Sequence, residues 1–125
     1  MLSNRRVEPP GVSHDASRTA YAARMDDRDS ALRRAADLAT DFLNRLPDRP
    51  VWPAVDLDAL RSALGGPLPS APSDPTAVIE ALARDSEPGI VGSAGPRYFG
   101  FVVGGGVPAS LAADWLTSAW DQNAG

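Results

Sequence analysis

Proline decides what this chain can fold into. Of twelve prolines and eleven glycines, ten and nine crowd residues 47–75 and 88–108. Proline lacks the backbone N–H and its ring clashes with the preceding helical turn. It also drives the residue before it out of the helical region. Regular structure beyond residue 47 must therefore come in short pieces joined by stiff connectors. The clearest sustained pattern lies before Pro47.

That pattern is helical. Over residues 29–46, Leu32, Ala35, Ala36, Ala39, Phe42, Leu43 and Leu46 recur at spacings of three and four and share one face. Arg33, Arg34, Asp37, Asp41 and Arg45 take the other face. The spacing allows Arg33–Asp37 and Asp41–Arg45 pairs one turn apart, contributing about 0.2–0.5 kcal/mol each. Pro47 ends a rod about 27 Å long, whose apolar stripe needs a partner surface. Residues 1 to about 26 mix prolines, serines and charges with few large apolar side chains. They are expected to be a poorly ordered arm, with a short helical patch at 20–24.

The connectors then alternate with capped helices. Trp52 sits between Pro50 and Pro53. Asp56 can cap a short helix through Leu57, Leu60 and Leu64, closed by Gly65 and Gly66. Ser73 or Asp74 can cap a further helix with Pro75 at its first position, Val78, Ile79 and Leu82 on its buried side, and Pro88 and Gly89 as breakers. Residues 98–103 are rich in aromatic and β-branched types and read as a short extended segment. A last helix follows from Pro108 to Trp120, with Leu111, Ala112, Trp115, Leu116 and Ala119 toward one side. The fold class expected is mainly α.

Charge and composition exclude several functions. The net charge of −4 and the lack of a basic stripe speak against nucleic acid. Absence of cysteine removes disulfides and thiolate metal sites. No apolar run reaches membrane-spanning length. Arg5 and Arg6 are not followed by a hydrophobic stretch, so no secretory signal is read, and a cytoplasmic location is expected. Alanine supplies much of the apolar content. A core built this way is marginal, and firm folding is expected to need more of a subunit or a second one.

The candidate chemistry is sparse. Gly104, Gly106 and Ala109 satisfy G-x-G-x-x-A before a helix, the setting of a dinucleotide-binding turn, although no acidic residue stands about twenty positions on. The plainer reading is a turn that lets the backbone pass close to another element. His14 is the only histidine and falls in the arm. Asp26, Asp27 and Asp29 read as a solvated helix start. Trp115 reads as core and Trp120 as an interface contact. No Ser/His/Asp set and no metal-spacing cluster can be assembled, so no catalytic or metal residue is assigned. The rings of Tyr98, Phe99 and Phe101 either pack in a core or line a pocket.

The C-terminal stretch carries a resemblance. Pro96, Arg97, Tyr98, Phe99, Gly100 and Phe101, then Pro108 and Ala109, then residues 113–119 with Asp121, Gln122 and Asn123 resemble the N-terminal part of the group II pyridoxal-phosphate-dependent decarboxylases. A weaker likeness runs back through Leu68, Pro69, Arg49, Pro50 and Val51 to about Asp29. The resemblance implies the N-terminal helical segment of a fold-type I decarboxylase, without its large cofactor domain. It implies residues 27–95 as a helical dimerisation segment and residues 96–125 as the start of the decarboxylase domain. It implies a homodimeric parent acting on an amino acid, and Tyr98, Phe99 and Phe101 as substrate-pocket lining. Gly100 and Phe101 stand where glutamate decarboxylases look like Asn-Gln, which favours an apolar or aromatic substrate. All twelve basic residues here are arginine. Pyridoxal phosphate is held as a Schiff base on lysine, so this chain is expected to bind no cofactor and to be inactive alone. A non-catalytic helical interaction module, or a small nucleotide-binding domain on the Gly104–Gly106 turn, are the alternatives.

Overall fold

The computed structural model describes residues 14–101 and 105–122. Among them all regular structure is helical: α1 (His14–Arg45), α2 (Leu57–Leu64), α3 (Pro75–Ser86), a 3₁₀ turn (Glu87–Gly89) and α4 (Pro108–Trp120). The mainly α expectation holds. The extended segment does not form where it is described: residues 98–101 lie in irregular backbone, bend and turn, while Val102 and Val103 lie outside the described residues.

The 32 residues of α1 make a rod about 48 Å long. It begins at His14, so residues 14–26 are helix and not the expected arm; residues 1–13 lie outside the described residues. The physical reason is propensity without packing. Ala16, Ala20, Ala22, Ala23, Arg18 and Arg24 are good helix formers, and no proline or glycine interrupts them. Nearly every side chain described there is exposed. Asp26 and Asp27 accordingly lie inside the helix and do not start one. Asp29 pairs with its neighbour Arg28 at 2.8 Å. At the other end Pro47 acts as expected. The helix stops at Arg45, and Asp48 and Arg49 donate back to the Arg45 carbonyl at 3.1 and 3.0 Å.

The short helices follow their caps. The Asp56 carboxylate accepts from the Asp58 N–H at 3.3 Å, and Gly65 returns its N–H to the Arg61 carbonyl at 2.8 Å. Gly66 takes a φ of 133°, which L side chains rarely adopt. Asp74 caps α3 from its side chain to the Ala77 N–H at 2.7 Å, with Pro75 in the first turn. α3 is the hub, packed against both α1 and α2. Leu60 of α2 lies so close under Gly89 that a Cβ there would come within 2.6 Å of it.

One ion pair among the described residues bridges two helices, and it is not a pair that the spacing along α1 offered. Among the described residues no ion pair joins Arg33 to Asp37 or Asp41 to Arg45. Arg34 instead reaches α3, with Nε 2.6 Å from Glu80 Oε1, and Arg45 Nε donates to the Asp41 backbone carbonyl at 3.2 Å. Cross-helix pairing wins because α3 lies alongside this part of α1.

Burial is slight. Leu46 is the one buried large apolar residue among those described, at 7% exposure. Ile79 is half-buried, but Val78 and Leu82 of α3 are exposed. The helices are held by caps, crossings and ion pairs more than by a closed core.

Candidate functional site

The segment after the 3₁₀ turn runs back over the end of α1, and this crossing positions the aromatic residues. Gly92 is buried at the crossing and donates to the Val51 carbonyl at 2.8 Å. A Cβ on Gly92 would stand 3.2 Å from the Pro50 carbonyl oxygen, so glycine permits the close approach. Two turns follow, closed by Gly95 N–H to the Gly92 carbonyl at 3.0 Å and Tyr98 N–H to the Gly95 carbonyl at 3.2 Å.

The three aromatic candidates do not meet in one pocket of this chain. Tyr98 is half-buried, its ring tilted 55° against Trp52 at a centroid distance of 5.8 Å, a geometry that suits aromatic pairs. Phe99 and Phe101 point away from any packing, at 95% and 93% exposure. Phe101 also has a φ of 45°, an uncommon and strained setting for a bulky residue. A shared core of three rings is therefore not formed.

Arg49, which the sequence flagged only through its resemblance, organises the crossing. Its Nη1 pairs with a Glu87 carboxylate oxygen, and Nη2 donates to the Glu87 carbonyl at 2.5 Å and the Ile90 carbonyl at 3.2 Å. Its guanidinium carbon stands 5.2 Å from the centre of the Phe42 ring, within cation–π range. The Arg49 backbone carbonyl accepts from Arg97 Nη2 at 2.5 Å. An arginine two residues past a helix-ending proline, followed by another proline, was the available signal. It could not identify partners some forty residues away.

The glycine turn leads elsewhere. Gly104 lies outside the described residues. Gly105 passes Ala94, whose carbonyl oxygen a Cβ would meet at 3.3 Å, as the plainer reading expected. α4 has Val107 at its cap position and so no side-chain cap, and Ser110 donates its hydroxyl to the Val107 carbonyl at 2.8 Å. An open apolar groove of about 790 Å³ runs between Leu43 of α1, Leu46 just beyond it, and Leu111, Trp115 and Leu116 of α4. Trp115 lines this groove at 36% exposure and so is not core, while Trp120 is exposed.

Titration adds one feature. The Arg84 guanidinium, hydrogen bonded at 2.7 and 2.9 Å, holds the Asp85 carboxyl below its ordinary range and is itself raised. The two groups are adjacent in sequence, Arg84 exposed and Asp85 half-buried, and the pair braces no other element. Among the described residues no group of three or more His, Asp or Glu side chains could hold a metal ion. None of their helices is long and apolar enough to cross a membrane.

Comparison with known proteins gives a partial answer. No family model matches the chain, and no solved structure matches it. Over 88 residues, 70% of this chain, it is 32% identical to an aromatic-L-amino-acid decarboxylase of Bacillus atrophaeus. The match spans 18% of that protein's length. The chain is thus similar, over most of its own length, to a small part of a decarboxylase.

Proposed function

We propose that this chain is the N-terminal helical segment of a pyridoxal-phosphate-dependent amino-acid decarboxylase, cytoplasmic and homodimeric as a whole. The observation that carries the proposal is the 32% identity over 88 residues to the bacterial aromatic-L-amino-acid decarboxylase. The open architecture supports it: a chain that buries one large apolar side chain among its described residues is suited to completing a larger body.

The residues here do not fit the cofactor. A Schiff base needs an amine, and the sequence contains no lysine. Its single histidine is His14, the first residue of α1. The segment's contribution is therefore contact and shape. Phe99 and Phe101, held clear of this chain's own surface, would line the substrate pocket, and the stripe containing Leu32 and Leu43 would meet the rest of the dimer. An apolar wall without a carboxylate-binding amide suits an aromatic amino acid.

The coding sequence beyond the Gly125 codon provides the test. An open frame continuing into a lysine-bearing domain, whose full-length product binds pyridoxal phosphate and releases carbon dioxide from an aromatic amino acid, is the expected result. Phe99→Ser should then raise the KM of that product more than it lowers kcat. A frame that closes at Gly125, together with turnover or cofactor capture by the purified 125-residue chain, overturns the proposal. The groove between α1 and α4 keeps a second reading in play, a non-catalytic module that docks on a decarboxylase subunit. Native mass spectrometry of the chain mixed with such a subunit separates the two.

A further inference from the structure

The aromatic turn has no hydrophobic core beneath it. Leu46 is the one buried large apolar side chain described, and Phe99 and Phe101 touch almost nothing. Something other than packing must fix the direction in which residues 98–101 face. The backbone crossing supplies a single ladder-like bond, from Gly92 to Val51. That is too little to order a ten-residue loop, since each ordered residue costs about 1–2 kcal/mol of backbone entropy.

We propose that Arg49 is a positioning residue for the aromatic turn, acting as a two-sided clasp. With its side chain it grips the start of the loop: the Glu87 carboxylate, the Glu87 carbonyl and the Ile90 carbonyl. With its own carbonyl it receives Arg97, the residue before Tyr98. The two grips hold both ends of the segment that carries Gly92 and Gly95. The Arg49 side chain is only 11% exposed, and charge-assisted bonds in such a setting are about twice as strong as neutral ones. The Phe42 ring lies against the guanidinium and restricts its swing. Lysine could not substitute, because a compact ammonium lacks the planar fork that serves several acceptors at once.

Direction follows from these contacts. Tyr98 is tied through its N–H to Gly95 and through its ring to Trp52. Trp52 belongs to the same short connector as Arg49. The clasp therefore fixes both the loop and the ring that the loop leans on, and Phe99 and Phe101 project from that fixed point. The inference deepens the proposed pocket role and rests on it only for what the turn would meet; the clasp itself is a property of the full 125-residue chain.

Amide hydrogen exchange on that chain tests it without cofactor or substrate, so failure of the decarboxylase reading would show separately, in the coding sequence and the turnover assay. In Arg49→Met, which removes three bonds from a charged group, the Gly92 and Tyr98 amides should exchange at least about tenfold faster, while amides inside α3 such as Ala83 keep their protection. Arg49→Lys should behave as Arg49→Met does. Loss of protection spread evenly through α1 and α3 would mean that Arg49 merely supports the fold, and unchanged exchange at Gly92 and Tyr98 would remove its role; either result overturns the proposal. Should Arg49→Met fail to fold, Arg97→Met leaves the side-chain grip intact and should release Tyr98 but not Gly92. Full protection of Tyr98 in that variant counts against the clasp.

Discussion

Two halves of the molecule are built on different physics. The first runs from the middle of α1 through α3 to Tyr98. It is cross-braced by Arg34–Glu80, by Arg49 to the Glu87–Ile90 stretch, by Arg97 to Arg49 and by the Gly92–Val51 crossing. The second comprises Phe99, Phe101 and α4. There the polar contacts are local, Ser110 to Val107 and Thr117 to Ala113, whereas large apolar side chains are exposed in both parts, Trp52, Leu68 and Leu82 in the first as well as Phe99, Phe101 and Trp120 in the second. Self-satisfied braces mark the part that holds its own shape. Exposed apolar surface without such braces marks the part that waits for more protein, since exposed patches of this kind signal interaction sites.

Leu46→Ala should break the contrast most. Leu46 is the buried anchor at the end of α1, and removing such a side chain costs about 2–5 kcal/mol. In an open site the low end is expected, read as a lowered urea midpoint. Next is Asp74→Ala, which removes the short cap bond on α3 and should cost about 1 kcal/mol. Its effect should appear as faster exchange at Ala77 and loss of the α1–α3 contact.

The open half should respond in the opposite way. Phe99→Ser should change the stability of this chain by less than about 0.5 kcal/mol, as for other unsupported surface positions, by urea denaturation. Its effect belongs to the assembled enzyme. A destabilisation above about 1 kcal/mol would show that the ring packs within the chain and would erase the distinction drawn here.

The smallest effect concerns acid. The Asp85 carboxyl is lowered in the folded chain, chiefly by its hydrogen bond from Arg84. A lowered carboxyl adds stability that is present above the ordinary aspartate range and lost as pH falls through the folded value. The partners are adjacent in sequence, so the unfolded chain keeps most of the same attraction. Wild type and Asp85→Asn should therefore show nearly parallel urea midpoints from about pH 6 down to about pH 3. Divergence confined to the acid end would give the pair a structural role.

The helices were legible to very different degrees. α2 and α4 lie where Asp56, Gly65 and Pro108 put them, because caps and breakers act within one turn and need no distant partner. The N-terminal half of α1 was missed because the sequence reading asked for an apolar stripe, whereas alanine and arginine sustain this helix almost without burial. For the site, Tyr98, Phe99 and Phe101 were chosen from resemblance, and the structure separates them: one ring is paired with Trp52, two are free of this chain. Whether they line a substrate pocket belongs to the proposal.

The sequence alone determined that short helices on proline connectors would follow Pro47, and that these 125 residues include no lysine side chain for a Schiff base. The reasons are local: a ring that removes an N–H, a carboxylate within reach of a free amide, a side-chain amine that is missing. Only the tertiary structure decided that Arg49 would face Glu87 and Ile90, that Arg34 would choose Glu80 over its own helix, and that two phenylalanines would stand clear. Those outcomes depend on which segments come to lie within about 3 Å of each other, and periodicity along a chain carries no record of that.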